Sequence, residues 1–361
     1  MTDSVSKLRR TPLYEACLAA GGKMVDFHGW ELPVQFEGIL AEHKAVREAA
    51  GMFDVSHMGR LIMTGARTHA FLEYVTSNKI SREPGRGTYS HILNENGGIV
   101  DDIIAFCTGK DKYLVVVNSA TAEKDLNWFN AHNKNYDVEI QDVSGDFAMV
   151  AVQGLNAIHI CQGIDKHLAD LPRFGIKETV YFGQLCYICR TGYTGEDGAE
   201  IMMPPKAAAQ MWQFFLAQGV KPCGLGVRDV LRVEAGYLLY GSDVTEKYTP
   251  YEANCAWVVK LDKKDFIGKP ALLKQKEEGA QIKLTSFKLK GPGVPREGNK
   301  VKFEGREIGF LTSGTYSPQF KGIGKGYVVN NVLKEGDEVE IISGGRSMPA
   351  EVVKSFYKNR V

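Results

Sequence analysis

Three apolar-patterned segments, residues 87–93, 99–108 and 112–118, are separated only by the short stretches NENGG and GKDK. Connections that short cannot carry a crossover between parallel strands, so the segments must pair as an antiparallel meander. Helical periodicity recurs at residues 11–20, 39–50, 120–131, 156–167, 206–217 and 227–239, with further strands expected at 53–64, 148–153 and 187–191. The stretch VDFHGWELPVQF reads as an aromatic-rich loop. Hairpins beside helices predict an α+β fold rather than a doubly wound parallel sheet.

At 361 residues the chain is too long for one ordinary core. After ALLKQKEEGAQ its character changes to short strands broken by Gly-rich turns, from IKLTSFKL to MPAEVVKSFY. That spacing predicts a separate C-terminal β-barrel or sandwich. The expected division is therefore residues 1–276 and residues 277–361.

The middle strand of the meander, GGIVDDIIAF, contains two adjacent aspartates in an apolar run. Successive side chains on a strand face opposite sides, so Asp101 and Asp102 diverge. A buried carboxylate is costly unless it is paired or hydrogen-bonded. Centring the GKDK turn near Lys110 places Asp102 opposite Asn118, Ile104 opposite Val116 and Phe106 opposite Leu114. Centring the other turn at Asn96 and Gly97 places His91 opposite Asp102, with Tyr89 on the same face. A polar group of Asp102, Asn118, Tyr89 and His91 on an apolar surface is the result. The alternative on this segment alone is that both aspartates only bind backbone amides near the Gly-Gly turn.

Two other clusters stand out. RTGYTGEDGAEI has its glycines at a turn between strands and lacks the dinucleotide-binding spacing. Glu196 and Asp197 are expected to be solvated turn residues there, while Tyr193 and Glu200 flank the turn. In GLGVRDVLRVEAGYLLYG, Val227, Val230, Leu231, Ala235 and Leu238 form a helical stripe, and Arg228 lies off it in the first turn. A helix N-terminus disfavours a cation, so an acidic partner such as Glu200 would account for Arg228, a solvated arginine being the alternative. Ser56 and His57, adjacent on a strand, diverge and cannot act as nucleophile and base.

The charge balance, 44 Lys plus Arg against 43 Asp plus Glu, gives no bias toward nucleic acid or anionic membranes. No apolar run approaches the ~18 residues of a membrane helix, and the first residues lack an apolar signal core, so a cytoplasmic protein is expected. The seven cysteines suit reduced, buried thiols. Cys186 and Cys189 face opposite sides of an expected strand, and the histidines lack ligand spacing, so no metal is expected.

Taken together, HGWELPVQF, FDVSHMG, GGIVDDII, VVNSATAEKD, RTGYTGEDGAEI, GLGVRDVLRVEAGYLLYG and LTSGTYSP resemble the aminomethyltransferase (T-protein) family of the glycine cleavage system, in family order over essentially the whole chain. The resemblance implies a three-domain cloverleaf around a central folate channel. It implies transfer of a one-carbon unit from the aminomethyl-dihydrolipoyl carrier (H-) protein to tetrahydrofolate, giving 5,10-methylenetetrahydrofolate, ammonia and the dihydrolipoyl carrier. Other components of the system would be indirect partners. Asp102 corresponds to the family's catalytic aspartate, and Asp101 is left to serve the turn. Met58, Tyr89, Asn118, Tyr193, Glu200, Arg228, Trp257 and Tyr357 correspond to its folate contacts. A preorganised carboxylate suits a cationic intermediate, an anionic acceptor suits the pterin N–H groups, and aromatic walls suit its faces.

Alternatives share this fold. Folate-binding proteins of iron–sulfur assembly resemble KGCYxGQE where this chain has RTGYTGEDGAE. The folate domains of sarcosine and dimethylglycine dehydrogenases come fused to a flavin domain. A non-catalytic folate-binding protein is the third. The carrier is expected to be acidic and to meet exposed lysines, for example Lys260, Lys263 and Lys264 in VVKLDKKDF, although that stretch also reads as a solvated charge run.

Overall fold

The computed structural model describes residues 8–356. They form two compact units: one from residues up to Ile62, Gln141–Gly192 and Glu196–Asp229, the other from Met63–Ile140, Tyr193–Gly195 and Val230 onward.

The first unit contains a six-stranded sheet in the order Ile176–Tyr181, Gln184–Cys189, Gly198–Met203, Ala148–Gln153, Gly51–Asp54 and Lys221–Pro222. Only the last contact, a two-residue one, is parallel. Val150, Val152, Ile188 and Ile201 pack with Met211, Trp212 and Phe215 of helix Pro205–Ala217. The helix presents these residues at spacings of three and four, which put them on one side.

The second unit holds the expected meander, Arg86–Leu93, Ile99–Gly109 and Lys112–Val117. Its sheet continues through Gly59–Thr64 and Glu139–Asp142 to five strands. The register is the expected one: His91 faces Asp102, Ile104 faces Val116 and Phe106 faces Leu114. Gly97 makes the first turn at φ +81°, and a Cβ on Gly98 would lie 1.9 Å from the Glu246 carbonyl oxygen. Both glycines are therefore required, the first by backbone angle and the second by close approach. From Ile282 to Val353 six strands close into a barrel around Phe287, Val301, Leu311, Ile341 and Ala350.

Several local expectations change. VDFHGWELPVQF is no loop: Lys23–Phe27 and Trp30–Gln35 form a hairpin whose turn places His28 at φ 51° and Gly29 at φ 80°. The strand expected at 53–64 is interrupted between Asp54 and Gly59. There Asp54 accepts hydrogen bonds from Thr11 Oγ1 and the Ser56 amide and turns the chain. The helix expected at 156–167 shrinks to Ala157–Cys161. Helix Thr68–Val75 has no counterpart among the expectations.

Candidate functional site

The second unit brings Asp102, Asn118, Tyr89 and Trp257 together. Asn118 follows the third meander strand, where it can reach back across the ladder. Its Nδ2 donates to Asp102 Oδ1 and to Asp101 Oδ1, each at 2.9 Å. Tyr89 and His91, two residues apart on the first strand, share Asp102's face, and their Oη and Nε2 lie 3.3 Å apart. The Trp257 indole stacks on Tyr89 at 5.5 Å between centroids and 22° between planes, yet 56% of its surface is exposed. An exposed, stacked indole extends an aromatic wall outward from the carboxylate. Tyr193 stacks on Tyr237 in the same way, at 5.7 Å and 24°, and its hydroxyl donates to the Leu238 carbonyl.

Electrostatics single out Asp102. Burial and then the Asp101 charge push its carboxyl up to about 7, against the hydrogen bonds from Asn118 and Tyr89. A carboxyl poised there can hold or release a proton near neutrality, as general acid–base chemistry requires. His91, fully buried, is pushed down to about 3 and stays neutral. Cys255, whose thiol feels the Asp102 charge, is pushed up to about 12 by burial and is no ready nucleophile.

Asp101 corrects an expectation. The NENGG turn is held by Asn94, whose Oδ1 accepts from the Asn96 and Gly98 amides. Asp101 is fully buried and instead accepts from the Asn118 amide, Asn118 Nδ2 and Thr121 Oγ1. It fastens the start of helix Ala122–His132 to the sheet. Alternation separated the two aspartates correctly, but Asn118 lies past the strand end, where one amide reaches both.

The remaining expected site residues in the described chain lie in the first unit. Met58 follows a turn closed by its amide on the Val55 carbonyl. Glu200, on Gly198–Met203, accepts from Thr191 Oγ1. Arg228 stands in the first turn of helix Leu225–Ala235, as the periodicity predicts. Burial, then the Arg228 charge, push His57 down to about 3. Ser56 Oγ accepts from the Met149 amide, consistent with a structural serine. Tyr357 lies outside the described residues.

Two charged residues also depart from expectation. Glu196 is not solvated: it is buried and paired with Arg47 at 2.8 Å. Asp197 alone of that pair is exposed, and it pairs with Arg190. Lys263 is no surface lysine, since it is 5% exposed and its ammonium donates to the Thr76 and Asn78 carbonyls. Burial pushes it down to about 8. Lys264 is exposed and Lys260 partly so. All seven cysteines are free, six of them buried. Among the described residues no group of three His, Cys, Asp or Glu side chains could hold a metal ion, and no helix is long and apolar enough to cross a membrane.

Sequence reasoning missed Asp125, which is fully buried beside Asp101. A signal existed: Ala122, Asp125 and Phe129 have helical spacing, so an acid occupies an otherwise apolar stripe.

A mixed α+β framework with a closed C-terminal barrel carries a half-buried, proton-poised carboxylate beside stacked aromatic rings, a class of site suited to a flat small molecule and to proton exchange with it. The chain belongs to the glycine cleavage T-protein family. The family model described as the GCVT N-terminal domain matches residues 13–263, and the glycine cleavage T-protein C-terminal barrel domain matches 283–358. The chain is 43% identical to an aminomethyltransferase of Caldanaerobacter subterraneus subsp. tengcongensis, over 99% of this chain and 98% of that one. It is 42% identical to an aminomethyltransferase of Synechocystis, over 97% and 96%. The crystal structure of glycine cleavage system aminomethyltransferase T from Bartonella henselae superposes with a TM-score of 0.90 at 30% identity, over 98% of this chain and 99% of that one.

Proposed function

We propose that the chain is the aminomethyltransferase of a glycine cleavage system and that Asp102 is its catalytic carboxylate. The enzyme takes the one-carbon unit from an aminomethyl-dihydrolipoyl carrier protein, passes it to tetrahydrofolate, and releases ammonia and the dihydrolipoyl carrier. Relatives named aminomethyltransferase along the full chain support the activity. The observation that carries the site is a half-buried carboxyl held by Asn118 Nδ2 beside the stacked Tyr89 and Trp257 rings, which burial and the Asp101 charge push up to about 7.

The residues suit the substrate. Tyr89 with Trp257, and Tyr193, offer flat apolar faces for a pterin and its aryl group. Glu200 is an acceptor for pterin N–H groups, and Arg228 and Met58 complete the contacts within the first unit. Tyr357 is proposed as a further contact. Asp102 lies where the folate amine meets the incoming carbon. Ionised, it stabilises positive charge developing there and takes up a proton; Asn118 keeps its carboxyl plane turned toward the substrate. Because the carboxylate is largely withdrawn from water, that electrostatic assistance is stronger than it would be in solution.

We further assign folate chemistry to residues 1–276 and a closing role to residues 277–361, with no metal taking part. Such an enzyme belongs in the cytoplasm, and its carrier meets it transiently through acidic residues facing basic ones such as Lys260 and Lys264. The deciding experiment is ammonia release from aminomethylated carrier protein with and without tetrahydrofolate, for wild type and Asp102→Asn. Folate-dependent release in the wild type, reduced in the variant with folate affinity retained, is expected. Release that ignores tetrahydrofolate would overturn the activity, and full turnover by Asp102→Asn would overturn the residue assignment.

A further inference from the structure

Asp125 sits in the first turn of helix Ala122–His132 with no solvent exposure. Among the described residues neither of its carboxyl oxygens receives a hydrogen bond of ordinary geometry, Thr121 being the hydroxyl close enough to favour its charged form. The neighbouring hydroxyl, Thr121 Oγ1, donates to Asp101 Oδ2 at 2.7 Å instead. The adjacent cation, Lys124, spends its ammonium on the Val100 carbonyl, the Tyr240 hydroxyl and Glu246. A buried carboxylate without donors is strongly disfavoured. Asp101 is tied to the same turn, since Thr121 Oγ1 donates to it and the Asp125 amide donates to the Thr121 carbonyl, and its surroundings are the opposite, with three donors converging on it. Two carboxyls sharing one buried space do not both ionise.

We propose that Asp125 is a neutral acid whose O–H donates to the Asp101 carboxylate, and that this pair is the positioning device that aims Asn118 at Asp102. The proposal rests on the reading of Asp102 as the catalytic group. Asn118 has one amide nitrogen with two hydrogens; Asp101 takes one and Asp102 the other. Holding Asp101 ionised and in place therefore orients the second hydrogen. The pair also sets charge. Asp101's single negative charge helps to raise the proton affinity of Asp102, whereas an ionised Asp125 would add a second charge nearby. Burial and the Asp101 charge hold the Asp125 proton well above the carboxylate range, with Lys124 opposing. The charged and titratable groups facing the pair are thus Asp102, Lys124 and the Tyr240 hydroxyl. Asp125 touches neither substrate nor reacting atoms in this scheme, so it is a positioning residue.

The test combines infrared spectroscopy of the carbon-13 aspartate-labelled full chain with pH profiles. At about pH 8, far above the ~3.9 of an ordinary aspartate, the wild type should retain a protonated-carboxyl C=O band, most of which is lost in Asp125→Asn, the small remainder coming from Asp102. In that variant the amide replaces the O–H as donor to Asp101. Turnover should stay within about threefold of wild type and the acid limb of kcat/KM within about 0.3 pH units. Asp125→Ala supplies no donor to hold the Asp101 carboxylate, so Asn118 is no longer aimed at Asp102. It should lower kcat roughly tenfold with the folate KM little changed. Absence of the acid band in the wild type, or an acid limb displaced in Asp125→Asn, overturns the proposal. If Asp125→Ala does not fold, the band and the Asn variant still decide. A fully active Asp102→Asn would break the catalytic reading instead, leaving the infrared band as an independent measure of the pair.

Discussion

Two carboxylates in the second unit, Asp102 and Asp243, are withdrawn from water in opposite ways. Asp243 is fully buried, paired with Arg232, and 3.7 Å from the Lys325 ammonium. Thr312 Oγ1 at 2.6 Å, Ser313 Oγ at 2.7 Å and the Leu239 amide at 3.1 Å donate to it as well. Burial alone would raise its carboxyl; the Lys325 and Arg232 charges and the two hydroxyls override that and hold it below the usual range. Among the described residues no cation stands among the main influences on Asp102, and the charge acting most strongly on it is the like-signed Asp101. Asp243 thus joins the end of helix Leu225–Ala235 to the barrel strands Arg306–Ser317 and Lys321–Val329. The fold satisfies one carboxylate completely and leaves the other deficient. Deficiency is what a reacting charge can use.

The contrast predicts effects of different kinds and sizes. Asp243→Ala strands Arg232 and Lys325 in a buried space, so chemical denaturation should report a loss of about 3–5 kcal/mol. A loss below ~1 kcal/mol would mean that the cluster is solvated or replaceable, and the comparison would fail. Asp102→Asn should lower turnover by roughly 10²-fold or more, about 2.7 kcal/mol in the barrier, with folate affinity retained. Asp101→Asn should cost less, about tenfold, because it acts through Asn118 and through its charge on Asp102 and does not itself touch the reacting atoms. Equal losses in the two variants would remove the distinction between them.

Their pH dependences should also run in opposite directions. Asp243, depressed in the folded state, contributes stability that is present above the ordinary carboxylate pKa and lost as pH falls through its lower folded value. Asp102, raised to about 7, costs stability progressively as pH rises from about 4 to 7. Asp102→Asn should therefore be more stable than wild type at about pH 8, by ~1–2 kcal/mol after allowance for its partial exposure, and no more stable near pH 4. Thermal melts at the two pH values check the sign. The smallest expected effect is at the aromatic wall: Trp257→Ala should weaken tetrahydrofolate binding by about 1 kcal/mol, read by calorimetry, and leave the protein's stability almost unchanged.

Local pattern determined a good deal of this. Turn lengths and apolar alternation in 87–118 specify an antiparallel meander, and with it which residues face Asp102, because register follows from turn position and a strand's period of two. Gly-punctuated short strands after residue 281 indicate a separate barrel or sandwich for the same local reason, and strand pairing in the packed structure closes it into a barrel. Partnerships between distant segments were not legible. Glu196 looks like a turn residue until Arg47, 149 positions away, supplies its counter-charge. Lys263 looks like a surface lysine until Thr76 and Asn78 offer their carbonyls. Asp101 and Asp102 are chemically identical neighbours in sequence, and only the packed structure makes one an anchor and the other a poised acid. The reason is physical: hydrophobic period and turn chemistry act over a few residues, whereas the cost of a buried charge depends on which donors, cations and other carboxyls tertiary packing brings within a few ångströms.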